Sequence, residues 1–292
     1  MKKISLFFLV AIACSMLLFS CNNGLPGETY TLKMRMNNGD TFHQNVKMDM
    51  DMKMNVPGRP VNMKMNVDAG VTFEVTDTTN TNKELKLTYT RMHMGMDMGN
   101  KATSAVNIDS IMDETIGKII GRSVRIELSP TNEITQVKGF DSLMMETGNN
   151  ENTRQMTEKM FSKEQMNNMF GMLFSMYPAK PVKVGETWTS KSKVNLANMD
   201  MEINIKYKLV SVKNGLADID VDGVIDGKGD MKQNGVPVGI SMSGTQKGML
   251  TIKMSDGYLE NGSYKMDAKA DMEMSGQKIP MTIKADYYLS NK

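Results

Sequence analysis

The sequence predicts a mainly β fold of α+β type: one large curved antiparallel sheet, half-barrel or clam-like, with two or three helices inserted mid-chain. Three observations lead there. Long runs alternate apolar and polar residues at period 2, Gly-containing turn signals separate the runs, and the middle of the chain changes to helical spacing.

Residues 29–37, 42–56, 61–76 and 83–98 alternate as strands with one wet face do, as in Met48-Asp49-Met50-Asp51-Met52-Lys53-Met54. The texture returns at 187–196, 199–212, 216–226, 239–255, 258–274 and 278–289. Between the runs stand Pro57-Gly58, Asp68-Ala69-Gly70, Asn214-Gly215, Asn234-Gly235, Asp256-Gly257 and Ser275-Gly276. Asn-Gly and Asp-Gly between alternating runs favour tight hairpins, because both residues tolerate positive φ. An antiparallel meander follows.

The helical signals lie between a short strand pair near 123–137 and the second set of runs. Residues 109–120 carry Ile111, Met112, Thr115, Ile116 and Ile119 at helical spacing, and a second short helix is expected at 140–145. Ser162 and Gln165 form a candidate capping box, followed by Met166, Met169, Phe170, Leu173 and Met176 on one face, with Pro178 closing the element. Such an insert must cover something apolar, and the dry face of the sheet is the target. Met166, Met169, Phe170 and Leu173 are therefore the candidate ligand-binding residues, at the junction of sheet and helices.

The N-terminus supplies an address. Lys2-Lys3, an apolar run over 4–19 and Leu18-Phe19-Ser20-Cys21 read as a secretory signal ending in a lipobox. The run of about 16 residues is shorter than the ~20 that a spanning helix needs. Residues 1–20 are expected to be cleaved, Cys21 to be lipidated, and 21–28 to form a tether. Residues 29–292 then form a single β-rich domain, in which halves 29–138 and 182–292 are joined by the helical segment 139–181. With Lys2 and Lys3 removed from 35 basic and 33 acidic residues, the mature side chains balance, and no long-range field favours nucleic acid. Cys14 leaves with the signal, so Cys21 is the only mature cysteine and disulfides are excluded.

The halves echo one another. Gly39-Asp40-Thr41-Phe42 opens the first and Gly185-Glu186-Thr187-Trp188 the second. Met63-Lys64-Met65 then answers Met199-Asp200-Met201. Ile126-Glu127-Leu128-Ser129-Pro130-Thr131-Asn132 answers Ile252-Lys253-Met254-Ser255-Asp256-Gly257. With the lipobox, these Gly-acid-Thr-aromatic starts and the central 121–140 segment continuing Val137-Lys138-Gly139-Phe140-Asp141-Ser142-Leu143, the chain resembles an uncharacterised family of lipoproteins common in Bacteroidota. That resemblance implies an outer-membrane lipoprotein of the cell envelope and carries no catalytic residue. In those bacteria surface display goes with acids soon after the lipidated cysteine. Cys21-Asn22-Asn23-Gly24 lacks them, which implies a periplasm-facing position.

No catalytic constellation is present. The sequence has no Gly-x-Ser-x-Gly elbow, phosphate loop or dinucleotide fingerprint, and His43 and His93 are too few for a three-histidine zinc site. The expectation is a non-catalytic binding or scaffold lipoprotein without a cofactor. It is held to the membrane by its N-terminal acyl chains and takes an apolar small molecule or lipid between sheet and helices. Two alternatives follow from other features. The 33 methionines occur on nearly every run at apolar phase, as core filler would. Met92-His93-Met94-Gly95-Met96-Asp97-Met98 also resembles the Met-x-Met and His segments of periplasmic copper(I) and silver(I) binders, whose thioethers suit soft ions. Met92, His93, Met94, Met96 and Met98 are the candidate ligands in that case. A structural role through an exposed apolar patch that binds an envelope partner is the third class.

Overall fold

The computed structural model describes residues 27–291 apart from 57–58, 80–81, 98, 100–116, 118, 140–165, 168–169, 172, 175, 197–198, 234–235 and 275. The signal and Cys21 therefore lie outside the described residues. Eleven strands form one open antiparallel sheet: β1 (Thr41–Val56), β2 (Arg59–Thr78), β3 (Lys83–Asp97), β4 (Ser123–Leu128), β5 (Ile134–Lys138), β6 (Thr187–Leu196), β7 (Met199–Lys213), β8 (Leu216–Gln233), β9 (Val236–Lys253), β10 (Leu259–Met274) and β11 (Gln277–Ser290).

The spatial order is β5-β4-β3-β2-β1-β11-β10-β9-β8-β7-β6. All neighbours are consecutive in sequence except β1 and β11, which pair from Asn45↔Ser290 to Met54↔Met281. The first and last strands therefore meet at the centre, and the middle of the chain falls at both edges. The connection from β5 to β6 joins one edge to the other, which lie ten strand spacings apart along the sheet.

That connection crosses the apolar face. Met166, Phe170 and Phe174 are buried against Phe73, Leu85, Leu87 and Ile126 of β2–β4. Further along, Met176 and Val182 are buried against Ile205, Tyr207, Leu209 and Ile219 of β7 and β8, and Leu173 and Tyr177 touch both groups. Phe170 and Phe174 meet the ring of Phe73 edge-on at 5.3 and 5.9 Å, an arrangement that suits the ring quadrupoles.

The α+β expectation is corrected here: among the described residues the eleven elements are all strands, and two or three inserted helices are not seen. The half-barrel with helices gives way to one open sheet. Of the helices expected, 140–145 and most of 109–120 lie outside the described residues. Among the described residues, helical backbone is found at 117, 166–167, 170–171 and 173–174. Apolar spacing specifies which side chains must be buried, and the sheet's dry face imposes that demand on whatever crosses it.

Residues 29–37 differ as well. Leu32, Met34 and Met36 are buried alternately as in a strand, but among the described residues the segment joins no ladder and makes one isolated bridge, Tyr30↔Val182. It lies over the strand ends instead. Arg35 donates from Nη1 to the carbonyls of Met254 and Ser255, and its backbone N–H donates to Asp256 O. The Asp68-Ala69-Gly70 turn signal marks a bulge inside β2 and β3, with Gly70 facing Arg91 and Val71 facing Tyr89. A side chain at Gly70 would stand 2.8 Å from Asn45 Oδ1 and Thr90 Oγ1, so the irregularity needs glycine.

The two Gly-acid-Thr-aromatic turns share one geometry. Asn37 N–H donates to Asp40 Oδ2 and Lys183 N–H to Glu186 Oε2. Gly39 N–H then meets Val75 O, and Gly185 N–H meets Leu209 O. Val75 and Leu209 donate back to the acid's carbonyl. The aromatic that follows in each case stacks two residues further along that neighbouring strand: Phe42 on Phe73 and Trp188 on Tyr207. Both glycines have φ near +90°, where a Cβ is strained.

Gly257 has the same kind of backbone (φ +80°), and a Cβ there would lie 2.1 Å from Lys33 O, whereas one at Gly185 meets nothing within 4 Å. Gly185→Ala is expected to cost about 1–2 kcal/mol from backbone strain alone. Gly257→Ala should cost clearly more. Urea unfolding of the soluble Cys21→Ala protein compares the two, and equal costs would mean that the N-terminal segment is not packed on this turn.

Candidate functional site

Side chains of one parity on each strand form the dry face. At the other end of these strands, Val194, Met201, Gly227, Met242, Ala270 and Met281 follow one another in register from β6 to β11, as part of a third apolar cluster. The next row holds Ile203, Ile225, Gly244, Ala268 and Ile283, and continues to Met52 of β1. Glycine and alanine at these inward positions remove the side chains that would fill the space above them. Met199 and Met201 bend over Gly227 instead, their Sδ and Cγ 3.3 and 3.2 Å from where its Cβ would be.

A hollow of about 1010 Å3 opens over this floor. Val194, Met201, Gly227 and Met242 lie on the dry face, and Asn167 of the crossing connection stands at its rim. The strand backbone at Lys193, Asp200, Glu202, Asp226, Lys228, Lys269 and Asp271 completes the lining, while the side chains of these residues alternate to the wet face. An apolar floor with a polar amide at its rim is the form of a site for an uncharged or amphipathic molecule.

A row of aromatics separates the hollow from the filled end. Trp188, Tyr207, Val221, Gly248, Tyr264 and Tyr287 lie in register across β6–β11. Tyr264 and Tyr287 stack at 4.4 Å beside Gly248, where a Cβ would come within 2.5 Å of Tyr264. Burial raises the pKa of the Tyr207 and Tyr264 hydroxyls well above the usual tyrosine range, so both stay neutral. The Tyr207 hydroxyl is buried with no hydrogen-bond partner among the described residues. Tyr89, at the filled end, directs its hydroxyl at Met166 Sδ, 3.7 Å away.

The residues expected at the site divide. Met166 and Phe170 are fully packed in the filled end, Leu173 bridges its two clusters, and Met169 lies outside the described residues. The open space is displaced from them towards β6–β10. On β3 the bulge at Tyr89–Arg91 shifts the phase, so that Met92, Met94 and Met96 face the dry side opposite Ala69, Val67 and Met65. His93 points to the wet face beside Asp68, and Met98 lies outside the described residues. His43 is also on the wet face, with Nδ1 2.8 Å from Thr72 Oγ1. Sequence reasoning missed Val194, Met201, Gly227 and Met242. The available signal was the glycine at inward phase on β8 and β9: Gly223, Gly227, Gly229, Gly244 and Gly248.

Because the Tyr207 hydroxyl is buried unpaired, Tyr207→Phe should be neutral or stabilise by about 1 kcal/mol in denaturant unfolding. A loss larger than that would mean the hydroxyl has a partner.

No curated protein sequence matches the chain. Among solved structures, the fold is similar to that in "lipid-protein interactions in lipovitellin", at a TM-score of 0.51 and 9% identity over 88% of this chain. The chain spans about a quarter of that protein's length, 25% of it being covered. The β domain of the Bordetella autotransporter BrkA gives a TM-score of 0.30 at 7% identity, covering 85% of this chain and 98% of that one. Pseudomonas aeruginosa OccK2 gives 0.21 at 5% identity, with 87% and 99% covered. A family model matches residues 80–259, a stretch that contains β3 to β9 and ends at the first residue of β10. The chain belongs to that family, the family of unknown function DUF6263.

Proposed function

We propose that this protein is a lipid-anchored envelope lipoprotein, facing the periplasm, that holds an apolar chain-like molecule against its sheet and catalyses no reaction. The hollow of about 1010 Å3 floored by Val194, Met201, Gly227 and Met242 carries this reading. Its size is at the upper end of the about 300–1,000 Å3 typical of small-molecule sites. Methionine suits such a floor, because an unbranched, polarizable side chain adapts to ligands of differing shape. The broad sheet is of a kind that lipovitellin, a protein described by its lipid contacts, also builds. Cys21 at the end of the signal would bring the site to a membrane, from which an apolar ligand can be taken. With balanced charge on the mature chain, attachment rests on the acyl chains, and stable attachment needs more than one.

The test is native mass spectrometry of the mature Cys21→Ala protein purified from membrane-containing cells, followed by titration with a fluorescent fatty acid. A co-purified lipid mass and saturable probe binding are expected. Met201→Trp and Met242→Trp, which fill the hollow, should weaken the probe at least tenfold with the fold retained by circular dichroism. A clean apo mass with probe binding indifferent to both substitutions would contradict the proposal. Crosslinking to another envelope protein under those conditions would favour the structural-partner reading instead.

A further inference from the structure

The β1–β2 hairpin places four thioethers at the corners of a rectangle. Met50 faces Met65 and Met52 faces Met63 in the ladder, and all four project from the dry face. Directly opposed residues have Cβ atoms about 5 Å apart, and i, i+2 neighbours on one strand about 6.6 Å. The centre of that rectangle is then about 4 Å from each Cβ. A methionine's Cγ and Sδ span that gap when the side chain leans inward. One strand alone could not bring its sulfurs together, and the register of two strands does.

The four are half-buried, unlike Met201, Met242 and Met281 on the same face. The duplicated part of the fold offers an internal comparison. Among the described side chains on β6–β8 the dry face carries Ser190, Ser192, Val194, Ile203, Ile205 and Ile225, with methionine at Met199 and Met201. Burial of a sheet face is thus met mainly by Ile and Val in one run of strands and by sulfur in the other. On β1 the dry-face positions 48, 50, 52 and 54 are all methionine, and Met96 of β3 stands across from Met65. Among the described residues no three His, Cys, Asp or Glu gather in a metal-binding group, so the local chemistry is soft and uncharged. Neutral thioethers select soft monovalent ions over Zn2+, Mg2+ or Ca2+.

We infer that Met50, Met52, Met63 and Met65 form a binding site for copper(I), on the hairpin and apart from the hollow over β6–β9. The site uses neither histidine, since both stand on the wet face.

Anaerobic titration of the mature Cys21→Ala protein against a chromogenic copper(I) chelator reads the affinity. The parent should withdraw one equivalent from the chelator. Met50→Leu with Met65→Leu should weaken binding at least tenfold, and leucine at all four positions should abolish it. Met266→Leu with Met272→Leu, on β10, should change nothing. Leucine keeps the volume and apolar surface, so fatty-acid binding in the hollow should persist in the fourfold variant, which separates this site from the one above. X-ray absorption at the copper edge of the parent should show a sulfur-only shell. A parent that withdraws no copper, a fourfold variant that competes as well as the parent, or a nitrogen shell on the metal would each overturn the inference.

Discussion

A sheet one layer thick has two faces, and only one can be left to water when the strands alternate. Everything else in this structure follows from covering the other. Charged residues meet across strands on the wet face, as where Arg91 and Lys47 flank Asp68 or Lys265 meets Asp286, and need no partner layer. The dry face has the opposite need, for each apolar side chain left in water forfeits about 25 cal/mol per Å2. Placing β1 beside β11 at the centre sends the chain's middle to both edges, so the connection between β5 and β6 must span the sheet. The route over the apolar face makes that obligatory crossing into the cover.

The cover is unequal. The residues from Leu32 to Met36, together with Met166, Phe170, Phe174 and Met176, fill one end with close aromatic packing. At the other end the sheet lowers its own floor with Gly227, Gly244, Ala268 and Ala270, and methionine replaces branched side chains. The row of Trp188, Tyr207, Tyr264 and Tyr287 marks the change, with neutral phenols where the packed region stops. A filled end supplies the stability from which an open end can be held in place, because long strands run without interruption through both.

The strand texture was legible because period 2 leaves little choice: the alternation of 48–54 puts every methionine of β1 on one face, and the structure has it so. The Gly-acid-Thr-aromatic echo was legible too, since a turn with one positive-φ glycine and one acidic cap needs those residue types in that order. Three things were not. Leu32, Met34 and Met36 alternate as a strand does, yet whether an extended segment joins a ladder depends on which edge is near. Met166, Phe170 and Phe174 have the spacing of a buried face, and the demand came from the sheet rather than from a helix. Cross-strand partners such as Met50 and Met65 depend on register, which hairpin length sets. The hollow was partly legible in glycines at inward phase on β8 and β9, a signal read only as strand texture.

The central claim, one apolar face filled at one end and open at the other, can be read directly from the methionines. Limited peroxide oxidation of the delipidated Cys21→Ala protein, quantified by peptide mass spectrometry, ranks them by access. Met34, Met36, Met166 and Met176 should oxidise slowest. Met50, Met52, Met63 and Met65 should oxidise at least tenfold faster, approaching the wet-face Met249. Uniform protection of both groups, or oxidation of Met166 as fast as of Met50, would contradict the account.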